Sequence, residues 1–483
     1  MIIIKTISTI NYKLPVLVCI FQNQEFDKGF QKQFSPMLKK IGHSYKSLND
    51  GEYFNKGKLS SFISKDHEIY VLGLGNEDKL SNNIKRNIIG KAFRTLSHNK
   101  IKELQFLMEL KSSDSKIVAE AYLLSAYKFE EYKSKKSKNT IGKLLLWTED
   151  ESISKKELKD ARIECEGTIL VRDLVNTPAV DLIPEDFSVI GEAIGEKYNI
   201  DVKVMSADEL IKNDMNLLLG VSAGSPYEPK LLIMHYKNSD DAPTVLVGKG
   251  VTYDSGGTNL KPTGYLEDMK IDMAGAATVL GAIQTAARLK LKVNVYAIMP
   301  LTENIIGTNA LKPGDVIKSA SGQTVEILNT DAEGRLILAD ALNYATTLKP
   351  KSIIDLATLT GAALVALGDE IAPILGNNQD LINDLINSGE KVGEKLWPLP
   401  LPEEYECHIK SDIADMKNIG KPKGRAGTIS AAIFLKRFVK SYNWAHIDIA
   451  GPAEAESVTG INIRGGTGFG VRLLVDYLKK LDN

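Results

Sequence analysis

Short apolar runs alternate with amphipathic stretches along most of the chain. Runs rich in β-branched and leucine residues predict buried strands, at residues 15–20, 68–75, 143–147, 244–247, 293–299, 352–356 and 445–449. Helical spacing predicts helices over 88–97 and 115–127, with further helices beginning near Pro184, Ala274, Ala339 and Thr428. Alternation of this kind is typical of α/β proteins whose parallel or mixed sheets are covered by helices.

The pattern also predicts where the chain divides. Residues 151–175 read as one long, charge-rich amphipathic helix between a lysine-rich first part and a more apolar second part. We therefore predict two domains, each a mainly parallel or mixed sheet flanked by helices. The smaller N-terminal α/β domain takes residues 1–150, the linking helix 151–175, and the larger C-terminal domain 176–483.

Composition excludes several classes of function. The 483 residues have a formal net charge of −1, which argues against a nucleic-acid-binding protein, although the basic run at 133–138 leaves such a contact open beside the simpler interpretation of a solvated loop. No apolar run is long enough to span a bilayer, so we expect no membrane partner. The three scattered cysteines predict no disulfide framework and favour a cytoplasmic location.

The candidate chemistry begins in the segment NTDAEGR, residues 329–335. It carries Asp331, Glu333 and Arg335 at alternate positions. If the segment is extended, the three side chains point the same way and can face one cavity. A surface turn with a salt bridge would explain the same pattern.

A second segment follows the predicted strand at 244–247. This glycine-rich loop carries Lys249, Asp254 and Lys261, and Asp272 comes just before a helix of small residues. Sites in parallel sheets lie at the carboxyl ends of strands. We therefore expect the loop and the 329–335 segment to contribute to a single site.

Four carboxylates would then meet, from Asp254, Asp272, Asp331 and Glu333. Their summed charge of about −4 would be neutralised by two divalent cations. None of the six histidines lies in these segments, so a histidine-rich zinc site is absent from them. An oxygen-rich site for two metals is favoured, with Mn²⁺, Mg²⁺ and Zn²⁺ all open.

These segments resemble the leucine aminopeptidase (cytosol aminopeptidase) family of dinuclear-metal exopeptidases. The resemblance rests on NTDAEGRL at 329–336 and on the VGKG, DSGG and KP elements between 247 and 262. It continues through RDLVNTP at 172–178, DLATLTG at 355–361, SDIADMK at 411–417 and GTGFGVR at 466–472. It covers roughly residues 165–483, whereas the first part of the chain is similar only in general character.

The resemblance implies a role for each charged residue. Asp254 and Glu333 match carboxylates that bridge two metals, Asp331 a ligand of one metal, and Asp272 and Lys249 ligands of the other. A lysine ligand must be neutral, which burial beside two dications would allow; the alternative is a charged lysine paired with an acid. A water bridged by the metals would attack the peptide bond.

Two further residues match catalytic positions of the family. Lys261 would stabilise the oxyanion. Arg335 would hold a bicarbonate that serves as general base, and the alternative for it is a salt bridge to a ligand carboxylate.

Substrate contacts and assembly are also implied by the resemblance. Met269, Asn329, Thr358 and Gly361 match positions that line the substrate pocket, although Met269 could equally fill the core. The expected activity is release of leucine and other apolar residues from the N-termini of peptides, by a homohexamer built as a dimer of trimers. Tyr253 and Ala274 depart from the family's usual residues, phenylalanine and glycine.

Two other functions remain open from the residues alone: a nucleic-acid-binding regulator that uses the N-terminal domain, and a two-metal phosphatase.

Overall fold

The computed structural model describes residues 3–22, 27–44, 47–48, 52–109, 114–137, 140–149, 151–420 and 425–482. The chain forms two compact units. The first consists of Met1–Glu166 with Ser457–Ile463, and the second of Gly167–Glu456 with Arg464–Asn483. The first unit is therefore built from two separate stretches of the chain.

The first unit contains a six-stranded sheet in the order β1-β6-β5-β2-β4-β3. Its strands are parallel except β3, which pairs antiparallel with β4. Their bounds are β1 Ile3–Ile7, β2 Val16–Phe21, β3 Leu59–Ile63, β4 Glu68–Gly75, β5 Glu103–Leu107 and β6 Lys143–Trp147. The helices are α1 Lys28–Lys40, α2 Asn82–Ser97 and α3 Asp114–Ser125. Three of these strands and two of the helices were predicted from the sequence.

Helix α4 spans Glu151–Asn176, as the amphipathic pattern predicted. The division between the two units falls inside it, between Glu166 and Gly167. Its second half therefore belongs to the unit that carries the candidate chemistry.

The second unit is built on a nine-stranded mixed sheet in the order β16-β15-β18-β14-β9-β11-β8-β7, with β10 also paired to β11. Strands β18, β14, β9 and β11 form its parallel centre. The strands are β7 Asp201–Met205, β8 Lys230–Lys237, β9 Thr244–Gly248, β10 Gly250–Asp254, β11 Asn294–Asn304, β14 Ser352–Ala357, β15 Ile371–Gly376, β16 Lys395–Pro398 and β18 Trp444–Asp448. The expected α/β class, with mixed sheets flanked by helices, is confirmed.

Helices cover this sheet, and smaller strands flank it. The helices are α5 Pro184–Tyr198, α6 Ala207–Lys212, α7 Asn216–Ser222, α8 Ala274–Leu289, α9 Gly334–Thr347, α10 Gly361–Leu367, α11 Gln379–Val392, α12 Gly427–Lys436 and α13 Val471–Leu481. Strands β12 Val316–Lys318, β13 Thr324–Glu326 and β17 Met416–Lys417 form a small sheet, and β19 Glu454–Ala455 pairs with β20 Gly465–Gly466.

The central strands are buried on both faces. On β9, Val245 and Val247 pack into one apolar core and Leu246 into the other, on the opposite side of the sheet. This is the alternation that a strand imposes on its side chains. It explains why the strand reads as an uninterrupted apolar run.

One helix boundary was predicted wrongly. The sequence predicted a helix beginning near Ala339 and an extended segment through Arg335, whereas α9 begins at Gly334. Glu333, the residue before it, already has helical backbone angles, φ −79° and ψ −35°. Arg335 therefore projects from the first turn of a helix, so the alternation argument does not describe how it reaches the site.

The remaining sequence features are ordinary structural elements. None of Cys19, Cys165 and Cys407 forms a disulfide. No helix among the described residues is long and apolar enough to cross a membrane. In the basic run, Lys133 and Lys136 pair with Glu130 and Glu131 at 4.0 and 3.0 Å. Lys138 lies outside the described residues. The pairing with acids favours a solvated loop.

Candidate active site

Charged side chains from three segments of the second unit meet beyond the ends of strands β9 and β10. Asp254 ends β10, Asp272 lies in a 3₁₀ turn over Met269–Met273, and Glu333 immediately precedes α9. All three carboxylates are buried and offer oxygen atoms within 4.8 Å of one another. A group of this kind can hold a metal ion.

Close packing of helix α8 brings the 3₁₀ turn to this place. A β-carbon at Gly275 would lie 2.1 Å from the carbonyl oxygen of Leu356, and one at Gly248 would lie 2.4 Å from the carbonyl oxygen of Gly275. Only glycine permits such an approach between a helix and the strand ends. The small-residue sequence of α8 thus places Asp272 beside the end of β9.

Lys249 lies at the centre of the cluster. Its Nζ is 2.7 Å from Asp272 Oδ1 and 2.8 Å from Glu333 Oε1, and it donates a 2.8 Å hydrogen bond to the carbonyl oxygen of Thr358. Burial lowers the pKa of Lys249, but the surrounding carboxylates outweigh that effect and raise it above its ordinary value. These contacts are those of a lysine paired with two carboxylates.

Lys261 lies on the more exposed side of the cluster and also contacts two carboxylates. Its Nζ lies 2.8 Å from Asp254 Oδ2 and 2.5 Å from Asp331 Oδ1. The Lys261 side chain is 16% exposed and that of Asp331 32%, whereas Lys249 is buried. The structure therefore brings all five residues expected to hold metal together with Lys261.

The carboxylates carry more negative charge than the two lysines balance. Burial raises the pKa of Asp254 to about 6, with a further contribution from the charge of Glu333. Burial likewise raises the pKa of Asp272 and of Asp331. Asp272 Oδ2 is buried with no hydrogen-bond partner. An anionic cluster with an unpartnered oxygen suits additional cations.

Arg335 is the second residue of α9 and lies close to this cluster. Its Nη1 donates a 2.8 Å hydrogen bond to the carbonyl oxygen of Asn418, while its Nε is buried without an acceptor. Burial lowers the pKa of Arg335 to about 10, although the charges of Glu333 and Asp448 oppose that effect. The guanidinium thus retains a donor for an oxyanion.

The four residues expected to contact substrate lie at the edge of the cluster. Thr358 donates a 2.8 Å hydrogen bond to Asp272 Oδ1, and the amide of Asp331 donates to Asn329 Oδ1 at 3.0 Å. Gly361 begins α10 with open space where a β-carbon would be, and Met269 is half-buried at the start of the 3₁₀ turn.

Sequence reasoning missed two asparagines that hold the site. Asn304 Nδ2 donates to Asp254 Oδ1 at 2.7 Å and to the carbonyl oxygen of Thr330 at 3.0 Å. Asn418, besides accepting from Arg335, donates to the carbonyl oxygen of Asn329 at 2.6 Å. The available signal was their position, since Asn304 ends an apolar strand and Asn418 follows the SDIADMK segment.

Asp448 was also missed. Its Oδ1 accepts a 3.0 Å hydrogen bond from the amide of Leu359, and its Oδ2 accepts a 2.6 Å hydrogen bond from the hydroxyl of Thr360. These bonds hold the loop that carries Thr358 and Gly361. Asp448 therefore supports the substrate side of the site from the neighbouring strand β18.

Family models match both parts of the chain. One described as the catalytic domain of the cytosol aminopeptidase family matches residues 169–475, and one described as the N-terminal domain of that family matches residues 55–136. A probable cytosol aminopeptidase of Geotalea uraniireducens (strain Rf4) is 41% identical and covers 94% of this chain and 95% of its own length. Another, from Wolbachia pipientis wMel, is 40% identical, and the match covers 98% of this chain and 96% of that protein.

A solved structure resembles the whole chain as well. The bottromycin maturation enzyme BotP in complex with Mn superposes with a TM-score of 0.86 at 30% sequence identity. The match covers 98% of this chain and 100% of that one. The similarity thus extends through both the smaller and the larger unit.

Proposed function

The chain belongs to the cytosol aminopeptidase family and is a metal-dependent aminopeptidase, and we propose that it works through two divalent ions held by the buried carboxylate cluster. The observation that carries this proposal is the group Asp254, Asp272 and Glu333, whose oxygens lie within 4.8 Å of one another. Asp254 and Glu333 are proposed to be shared by both ions. Asp331 would complete one site, and Asp272 and Lys249 the other.

The residues present suit two cations. The acids exceed the lysines in number, and burial already raises the pKa of Asp254 and Asp272, so added positive charge would stabilise their ionised forms. Lys249 would serve as a ligand only after losing its proton, which two adjacent dications favour. Mn²⁺ or Zn²⁺ are the ions we propose, and the relative BotP in complex with Mn supports manganese.

When bound, the two ions would polarise the scissile carbonyl, activate water and hold the free α-amine of the substrate. Lys261 is proposed to stabilise the oxyanion. Its pKa is raised because Asp254, Glu333 and Asp331 together outweigh the effect of burial, which favours the protonated form at neutral pH. Its partial exposure leaves the ammonium accessible to a substrate oxygen.

Arg335 is proposed to hold a bicarbonate that accepts the proton of the attacking water. The buried Nε without an acceptor supports this role, because a planar oxyanion can receive two parallel hydrogen bonds from a guanidinium. Asn418 keeps the group in place through Nη1. No other side chain is proposed for the general base.

The substrate side is proposed to comprise Met269, Asn329, Thr358 and Gly361, with peptides beginning in leucine or another apolar residue as substrates. The open space beside Gly361 and the half-buried Met269 support room for an apolar side chain next to the carboxylate cluster. The relatives named for the cytosol support a cytoplasmic location. A homohexamer built as a dimer of trimers is proposed from the family resemblance.

The test is hydrolysis by purified protein before and after chelation, with metal content measured on the same samples. We expect chelated protein to lose hydrolysis of leucine anilide and regain it with Mn²⁺ or Zn²⁺, while an N-acetylated leucine anilide and a phosphate ester remain nearly unhydrolysed. Full activity without metal would refute the metal proposal. Equal rates on the blocked and free leucyl substrates would refute the role of the α-amine.

A further inference from the structure

A cavity lies in the first unit, lined entirely by residues of that unit. It has a volume of about 140 Å³ and lies between helices α2 and α3 and the segment Ser457–Ile463. Phe93 and Tyr122 form part of its wall, in edge-to-face contact with ring centroids 5.4 Å apart. An apolar cavity of about 150 Å³ is large enough to admit a benzene-sized molecule.

The hydroxyl groups of the wall are already bonded to the protein. Tyr122 donates to the carbonyl oxygen of Ile141 at 2.7 Å, and Ser125 donates to that of Tyr122 at 3.3 Å. Ser97 donates to the carbonyl oxygen of Arg94 at 2.7 Å. The wall therefore offers a ligand mainly apolar contact.

Positive charge is concentrated at the same cavity. The cations Arg94 and Lys128 line it, and none of the described residues that line it is an aspartate or glutamate. Lys128 Nζ also donates to Ser137 Oγ at 2.6 Å. Arg94 Nη2 donates to the carbonyl oxygen of Asn462 at 3.2 Å, and no ion pair joins Arg94 to a described carboxylate. A half-buried guanidinium that has only a carbonyl partner retains donors for an anion.

We propose that this cavity, here called the Arg94 pocket (Phe93, Arg94, His98, Tyr122, Ala126 and Lys128), binds a small organic monocarboxylate with one aromatic ring. The ring would lie in the cavity against the wall that includes Phe93 and Tyr122, and the carboxylate would pair with Arg94. A free amino acid fits less well, because no acidic side chain is among the described residues that line the pocket to receive an ammonium group. The pocket thus differs in chemistry from the active site, which is proposed to bind a free amine.

Calorimetric titration of the metal-loaded enzyme with phenylacetate tests the proposal, with phenethylamine as the cationic counterpart of similar size. We expect phenylacetate to bind with a dissociation constant on the order of 1 mM, typical of a ligand of this size, and phenethylamine to bind at least tenfold more weakly. Absence of phenylacetate binding, or equal affinity for the amine, would overturn the proposal.

Two variants locate the site. Arg94→Gln removes the cation and should weaken phenylacetate binding about tenfold, the usual effect of losing one charge-assisted hydrogen bond. Ala126→Leu fills part of the pocket and should weaken phenylacetate binding to a similar extent without changing the charge of the pocket. Arg162→Gln is the matched control, because Arg162 lies outside the pocket and pairs on the surface with Glu166 at 2.9 Å.

All three variants should retain the aminopeptidase rate of the wild type. This rate is measured on each variant as a check that it is folded. If phenylacetate binds Arg94→Gln and Ala126→Leu as tightly as the wild type, the ligand occupies another place, such as the metal cluster, and the Arg94 pocket is refuted. If only one of the two fails to fold, the other still decides the outcome.

Discussion

The backbone of Gly334 lies directly against the side chain of Lys249. A β-carbon at Gly334 would come within 2.5 Å of Lys249 Cε and 2.6 Å of its Nζ. The first residue of α9 therefore has to be glycine if the lysine is to reach Glu333, the residue just before it. This contact joins the two sequence segments from which the site was predicted.

Gly334→Ala should inactivate the enzyme with only a moderate loss of stability. The added methyl group displaces Lys249 Nζ from Asp272, Glu333 and the Thr358 carbonyl, and overpacking of this kind costs about 1–3 kcal/mol. A displacement of about 1 Å in a catalytic group can lower the rate about 10²-fold. Rate, metal content and thermal unfolding should be compared with Gly142→Ala, whose added β-carbon would make only an ordinary 3.4 Å contact. Wild-type activity in Gly334→Ala would contradict this account.

Asp254→Ala and Lys261→Ala should separate metal binding from catalysis. The first removes a carboxylate proposed to be shared by both ions, so the purified variant should lose metal as well as rate. The second removes no proposed ligand, so it should keep both metals while kcat falls by roughly 10²–10³. Metal stoichiometry measured beside kcat distinguishes them. Loss of a metal from Lys261→Ala would show that the roles have been assigned wrongly.

Thr360→Val should raise KM more than it lowers kcat. It removes the 2.6 Å hydrogen bond to Asp448, which holds the loop carrying Thr358 and Gly361, and leaves a buried carboxylate oxygen without that partner. The expected loss of stability is about 1–3 kcal/mol. Thr360→Ser retains the hydroxyl and is the matched control. Identical kinetics in the valine and serine variants would exclude a positioning role for the bond.

Stability should fall as the pH rises above about 6.5, in part because of one buried ion pair. His446 Nδ1 lies 2.6 Å from Asp355 Oδ1, with both side chains fully buried. Burial lowers the pKa of His446, but the Asp355 charge outweighs it and raises the pKa above 6.5. Because the folded state binds the proton more tightly, this contribution is complete below about pH 6.5 and disappears as the pH rises through the folded-state pKa.

The free energy of unfolding should be measured from pH 5.5 to 9 for the wild type and for His446→Gln. The variant should be less stable at low pH, by about 3–5 kcal/mol for a broken buried pair. Its free energy of unfolding should also decline less steeply than that of the wild type as the pH rises. Parallel curves for the two proteins would mean that His446 stays neutral in the folded state.

Much of the fold could be predicted from the sequence because the central strands are buried on both faces. The runs at 244–247 and 352–356 stand out as uninterrupted apolar sequence, and both are strands of the parallel centre. Strand β1 was missed because Ile3–Ile7 includes a lysine and a threonine and is half exposed. The start of α9 was missed because helix propensity was read from Ala339 onward, whereas packing against Lys249 begins the helix at Gly334.

The sequence indicates which charged residues in glycine-rich segments come together at the candidate site. It does not indicate which other polar residues hold them in position by hydrogen bonds. The sequence singled out Lys249, Asp254 and Glu333 because charges in apolar segments require compensation, and the structure brings them together. Asn304, Asn418 and Asp448 carry no such local signal, since each is an ordinary polar residue near the end of a strand. Their importance arises from contacts with residues far away in the sequence, which only the folded chain reveals.

The smaller unit is completed by a segment from near the other end of the chain. Ile461 packs on Gly90, whose β-carbon would lie 2.9 Å from Ile461 Cγ2, and its amide donates to Asn87 Oδ1 at 3.1 Å. About 300 residues separate Glu166 from this segment. At about 5–20 residues per second, a ribosome needs roughly 15–60 s to make them. The nascent first unit must wait that long before Ile461 can cover Gly90 and bond to Asn87.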